Sequence, residues 1–100
     1  MADPIVVHVD RELAQLVPRF LGNCRRDVGL METAIAERDL DMTRRIGHSL
    51  KGVGGGYGFA EITRLGAAIE SAAKSGDAQG ALAALAALAA YLDALRVEYV

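Results

Sequence analysis

His48 sits in a stretch whose residue types are hard to explain by folding alone: Gly47-His48-Ser49-Leu50-Lys51-Gly52-Val53-Gly54-Gly55-Gly56-Tyr57-Gly58-Phe59. On a helix turning about 100° per residue, Ile46, Leu50, Val53 and Tyr57 gather within roughly 40° of the point opposite His48. The imidazole therefore faces solvent while the other side of its helix is anchored in a core. Gly55 and Gly52 project about 20° and 40° from His48, and Arg44, Arg45 and Lys51 flank it at about 40° to 60°. The exposed face combines one imidazole, several cations and almost no side-chain bulk. An unperturbed imidazole titrates near about 6.5, so at neutral pH its ring nitrogen is an available nucleophile. Attack on a phosphorylated partner gives a phosphoramidate of high transfer potential. The ammonium of Lys51, one turn on, can neutralise phosphoryl oxygens as charge develops.

The glycines carry a second message. Five of them lie between Gly52 and Gly58, and glycine inside a helix is worse than alanine by roughly 1 kcal/mol each. If this segment is helical, packing has to hold it so. Missing Cβ atoms at Gly52 and Gly55 let another protein's backbone come close to the imidazole. The run is not a nucleotide-binding loop, because that pattern ends in Gly-Lys-Ser/Thr after a strand, whereas Lys51 precedes the glycines.

The elements that must position this face are helical nearly throughout. Asp10 suits the N-cap of a short first helix through Leu13 and Leu16. Pro18 suits the opening turn of a second helix, along which Val17, Leu21, Cys24, Val28, Met31 and Ile35 form one apolar stripe. Arg38-Asp39 reads as a turn, with Asp39 capping the histidine-bearing helix, whose inward stripe is Met42, Ile46, Leu50, Val53 and Tyr57. A fourth helix starts near Phe59 with Ile62, Leu65, Ile69 and Ala72 inward. Ser75-Gly76-Asp77 is a stop and restart, and the last helix carries Leu82, Leu85, Leu88, Leu92 and Leu95 on one side. The alanine-rich run from Ala78 to Ala90 is read as an ordinary core helix. The spacing predicts an all-α fold: an antiparallel four-helix bundle with a short N-terminal helix capping one end. Residues 1–9 are expected to be extended, 10–96 helical and 97–100 an extended tail. Valine, isoleucine and tyrosine near both termini favour strand, so the two ends are expected to pair as a small ribbon.

Composition narrows the function classes. One hundred residues fit one domain. Eleven basic against thirteen acidic residues give a net charge of −2, which argues against a nucleic-acid partner. The single cysteine, Cys24, excludes an internal disulfide or a cysteine-based zinc cluster and reads as a buried apolar residue. The N-terminus does not resemble a secretory signal. The longest uncharged apolar stretch, Ala81 to Leu92, is twelve residues, short of the roughly 20 a membrane span needs. A soluble cytoplasmic protein is expected, with no cofactor, no ATP site and no small-molecule substrate. His8 reads as an ordinary surface histidine.

His48-Ser49-Leu50-Lys51-Gly52, followed by Gly58-Phe59, resembles the signature of the histidine-containing phosphotransfer family, a glycine or alanine, His, any residue, Leu or Ile, Lys and Gly, with a further Gly ten residues beyond the histidine. The resemblance implies a phosphocarrier without enzymatic machinery, phosphorylated on His48 with Lys51 as its cationic neighbour. It implies that Gly52 opens the docking surface and that Gly58 marks the end of the histidine-bearing helix. Implied partners are response-regulator receiver domains and a sensor histidine kinase, with Mg2+ only in the receiver. Glu70 falls where the similar domains of chemotaxis kinases carry a glutamate that orients the histidine. Arg44 and Arg45 read first as solvated, with a second role in attracting an acidic receiver surface. Gly54-Gly55-Gly56 departs from the family, whose members often have Ala or Ser there. Two alternatives stand: the phosphoacceptor part of a larger chemotaxis-type histidine kinase, and a helical adaptor that docks without phosphorylation. The initiator methionine favours a free-standing protein over the kinase fragment.

Overall fold

A computed structural model describes residues 3–100. Four helices, α1 (Val17–Ala36), α2 (Leu40–Val53), α3 (Ala60–Lys74) and α4 (Ala78–Ala94), are flanked by two short strands, β1 (Ile5–Val9) and β2 (Leu95–Tyr99). The helices begin and end where local chemistry directs. Asp39 accepts a hydrogen bond from the Met42 amide at 3.1 Å, and Asp77 accepts one from the Gly80 amide at 2.8 Å, so each satisfies an otherwise orphaned amide of the helix it opens. Gly76 adopts φ 75° between α3 and α4, a left-handed conformation natural to glycine. Arg38 takes φ 61° in the turn between α1 and α2.

The core is continuous. Val17, Leu21, Cys24, Val28, Met31 and Ile35 of α1 are all buried, as the stripe predicts, and they meet Leu50, Ile62, Leu65, Ile69, Leu85, Leu88 and Leu92 from the other helices. Contacts run from α1 to α2, α2 to α3, α3 to α4 and back from α4 to α1. That closed circuit is an all-α bundle.

Several expectations are corrected. The N-terminal helix is only a 3-10 turn, Arg11–Leu13, opened by Asp10, and Leu16 lies exposed. The histidine-bearing helix stops at Val53 instead of running on to Tyr57. Glycine's low helix propensity prevails there: Gly55–Tyr57 forms a 3-10 turn that Gly58 closes at φ 90°, and the Phe59 amide donates to the Gly54 carbonyl. The inward stripe of α2 is also rotated. Met42 and Val53 are exposed, and Thr43, Gly47 and Leu50 are buried in their place, a turn of roughly 60° around the helix. The cause is the close approach of α3 to the side of α2 that carries Gly47. In α4, Leu82 is exposed and Ala81 is buried, because the helix turns its smallest residues toward neighbours at that end.

The ends of the chain pair as a ribbon, and the pairing is parallel, with Ile5 opposite Leu95 and Val9 opposite Tyr99. Helix α4 therefore ends at Ala94, and Leu95 belongs to β2, where it is half-buried. Val9 is buried against the bundle, which ties the ribbon to the core. His8 stands beside Glu98 across the strands at 3.3 Å, with both side chains exposed.

Candidate functional site

The site is built on the contact between α2 and α3, and two glycines set how close that contact is. A Cβ on Gly66 would stand 2.6 Å from the Lys51 amide nitrogen and 2.9 Å from the Gly47 carbonyl oxygen. A Cβ on Gly47 would stand 2.9 Å from the Glu70 amide nitrogen and 3.0 Å from the Gly66 carbonyl oxygen. These distances are too short for a carbon atom, so backbone lies directly on backbone here. The neighbouring Gly54 serves the same packing further along, since its Cβ would meet the Thr63 amide nitrogen at 2.8 Å.

This close approach brings Glu70 of α3 under His48 of α2. Glu70 Oε2 is 2.7 Å from His48 Nδ1, and Lys51 Nζ donates to Glu70 Oε1 at 3.3 Å. One carboxylate thus bridges the histidine and the lysine. The Glu70 side chain is only 13% exposed, whereas His48 is 68% exposed. The His48 hydrogen bond, assisted by Lys51, holds the Glu70 carboxyl below its ordinary range against the opposing effect of desolvation. Glu70 is therefore ionised at neutral pH and can only accept hydrogen bonds. The proton of neutral His48 must then lie on Nδ1, and the lone pair is left on Nε2. A carboxylate thereby fixes both the tautomer and the ring's orientation, in the way second-shell carboxylates hold metal-bound imidazoles.

The other sequence candidates fall into place around this cluster. Gly52 has open space where a side chain would be, and Gly55 would meet only the Thr63 hydroxyl at 3.6 Å. Gly55 belongs to the 3-10 turn beyond α2, so the helical projection that put it beside His48 does not apply to it. Arg44 and Arg45 are engaged elsewhere, both by Asp41, at 2.9 and 2.8 Å. The hydrogen bond from Arg44, with the charge of Arg45, holds the Asp41 carboxyl below its ordinary range. Sequence reasoning missed Asp41, although its spacing of three and four residues from the arginines was the available signal. It also missed Gly47 and Gly66 as a matched pair, which no spacing within one helix reveals. Cys24 is buried, and burial, followed by the nearby charge of Asp27, pushes its thiol up to about 12.

Among the described residues, no group of three or more histidine, cysteine, aspartate or glutamate side chains is placed to hold a metal, and no helix is long and apolar enough to cross a membrane. On α2 the bundle thus displays an imidazole at its surface, with the Glu70 carboxylate tucked beneath it. The chain belongs to the Hpt domain family, whose model matches residues 15–98. Hpt domains are phosphocarrier modules that serve histidine phosphotransfer in phosphorelays. No curated protein and no solved structure gives a significant match to the chain.

Proposed function

We propose that this protein carries a phosphoryl group on Nε2 of His48, taking it from the aspartyl phosphate of one receiver domain and passing it to the aspartate of another. The observation that carries the reading is the 2.7 Å contact between His48 Nδ1 and Glu70, which leaves Nε2 as the free nitrogen on a largely exposed ring. In the forward step the Nε2 lone pair attacks phosphorus, a P–N bond forms, and the P–O bond to the donor aspartate breaks, with the electron pair leaving on that carboxylate. Glu70 offsets the positive charge the ring acquires, and Nδ1 keeps its proton throughout. Lys51 turns from Glu70 toward the incoming phosphoryl oxygens, a small movement for a half-exposed side chain on a flexible stem.

The metal that assists such a transfer belongs to the receiver, as does the catalytic machinery; this chain contributes position and charge. Gly52 leaves room for the receiver's active-site loops, Gly55 adds to the bare backbone beyond it, and Arg44 and Arg45 present a cationic surface to an acidic partner. A sensor histidine kinase stands upstream in this scheme. We read the helices as antiparallel neighbours, since Gly47 of α2 lies against Glu70 of α3 while Gly54 lies against Thr63.

The experiment is incubation of the purified protein with a phosphorylated receiver domain, followed by assay for acid-labile, base-stable phosphate. Label on the wild type and none on His48→Gln, with an unchanged helical spectrum, is the expected result. Label retained by His48→Gln would assign the acceptor to another residue.

A further inference from the structure

On the side of His48 away from Glu70, α1 and α2 enclose a groove of about 270 Å3. Its apolar part is formed by Phe20, Val53 and Tyr57, and its polar part by Asn23, Asp27 and Ser49. Phe20 and Tyr57 stack with ring centroids 4.4 Å apart and planes 13° from parallel, which gives the groove a rigid aromatic wall. Val53, one of the exposed apolar residues of α2, borders it. Ser49, the residue after His48, lines the groove about 100° around α2 from the imidazole, so the groove lies on the α1 flank of the histidine-bearing helix.

Asp27 is the feature that folding does not explain. Among the described residues it takes part in no ion pair and no side-chain hydrogen bond, and its carboxyl is raised by burial, with only the charge of neighbouring Arg26 opposing. A partly buried carboxylate with no partner makes the fold less stable than a neutral isostere would. The cations around His48 lie on other parts of the surface: Lys51 is held by Glu70, and Arg44 and Arg45 by Asp41.

We propose that this groove receives a cationic side chain, arginine or lysine, of the docked receiver domain, with the charged head at Asp27 and the aliphatic stem along Val53 and the Phe20–Tyr57 wall. The inference rests on the phosphotransfer reading and adds to it a contact that orients the partner. Aromatic faces and a half-buried carboxylate are the complement of a long cationic side chain, whose stem is apolar and whose head is charged. Lys51, on the side of α2 that faces α3, and Asp27, across the groove on α1, stand on opposite sides of the helix that carries His48, so the surface has a charge direction. A partner can satisfy both flanks in only one orientation, and that is how electrostatics sets register at an interface. Asp27 is a positioning residue in this scheme; it does not touch the transferred group.

The test is phosphotransfer from a phosphorylated receiver to the wild type, Asp27→Asn and Asp27→Lys, with the receiver concentration varied, alongside thermal melts. Asp27→Asn is expected to raise the KM for the receiver about fivefold, the equivalent of one partly exposed ion pair of about 1 kcal/mol. Its kcat should be unchanged and its melting temperature equal to or above that of the wild type. Asp27→Lys should raise KM further. A structural role would instead lower the melting temperature and leave KM alone. Wild-type labelling with KM unchanged in both variants would overturn the groove assignment and leave the phosphotransfer reading intact. Absence of His48 labelling in the wild type would overturn both.

Discussion

Gly66→Ala places one methyl group where α3 rests on the backbone of α2, and its consequences follow from the distances. The new carbon would stand 2.6 Å from the Lys51 amide nitrogen, about 0.8 Å inside the 3.4 Å at which ordinary van der Waals contact begins. The atoms it meets are two backbone atoms and the Cβ of Leu50, none of which can rotate away. The helices must therefore separate by most of that distance. Forced overpacking costs about 1–3 kcal/mol, and an unyielding backbone puts this case in the upper half of that range. Alanine returns about 1 kcal/mol as the better helix former. The net loss is about 1–2 kcal/mol, and at roughly 4–8 °C per kcal/mol for a domain of this size the melting temperature falls visibly. Glu70 lies one turn along α3, so the same separation lengthens its 2.7 Å contact with His48 to about 3.5 Å, past the range of a hydrogen bond. Gly22→Ala in α1 is the control, since it has open space in place of a clash and should gain about 0.5–1 kcal/mol. Thermal melts of the three proteins followed by circular dichroism, paired with initial rates of His48 labelling, read both effects. If Gly66→Ala melted at or above the wild type, the argument that backbone contact sets the site would be refuted.

Glu70→Gln should slow phosphotransfer while leaving the helical spectrum intact, because an amide fixes neither tautomer; an unchanged rate would remove Glu70 from the mechanism. The Glu70, Asp41 and Glu61 carboxyls are all lowered in the folded protein, each chiefly by a side-chain hydrogen bond, from His48, Arg44 and Arg64 respectively. Their contribution is fully present above the ordinary carboxylate range and is lost as pH falls through their depressed values. Urea midpoints should therefore hold steady from pH 7 to about 5 and drop below about 4, and Glu70→Gln should soften that drop. Burial raises the Cys24 thiol to about 12, so a disulfide-exchange reagent at neutral pH should react with it only as fast as the protein opens, and freely in urea. Gly58→Ala should destabilise by about 1 kcal/mol, measurable by urea titration, because φ 90° strains any residue with a Cβ.

Much of this was readable in the residues. The stripe of α1, the caps at Asp39 and Asp77 and the solvent-facing His48 all follow from short-range periodicity and hydrogen-bonding chemistry. The ribbon was expected from β-branched composition at both ends, though composition carries nothing about strand direction. The errors share a cause. The helical spacing of apolar residues puts Met42 and Val53 in the core, but the burial of α2 is decided by Gly47, whose lack of a side chain lets α3 approach its own side of the helix. Tyr57 was counted as helical because its position continued the stripe, while the glycines before it had already lowered helix propensity too far. Glu70 could be placed only by resemblance, since its nearness to His48 depends on a glycine in each of two helices. Asp27 gave no signal at all, because an acid on the flank of an amphipathic helix looks solvated until its neighbours are known.

The distribution of unfavourable features points to the working face of the molecule. Helix α4 is built mainly from alanine and leucine, both strong helix formers. Glycine costs helix propensity elsewhere too, at Gly22 and Gly29 of α1 and Gly80 of α4, but of the glycines within helices only Gly47 and Gly66 set one backbone on another, and they do so beside Glu70. The contact between exposed His48 and Glu70 cannot repay these losses as a stabilising ion pair, since pairs at the surface contribute about 0–1 kcal/mol. What it supplies is a defined tautomer at a defined place, and that requires two helix backbones in contact, because a long side chain reaching across a wider gap would leave the ring free to turn. Gly47 and Gly66 thus serve both ends at once, since the contact that closes the fold between α2 and α3 is also the one that sets Glu70 beneath the imidazole.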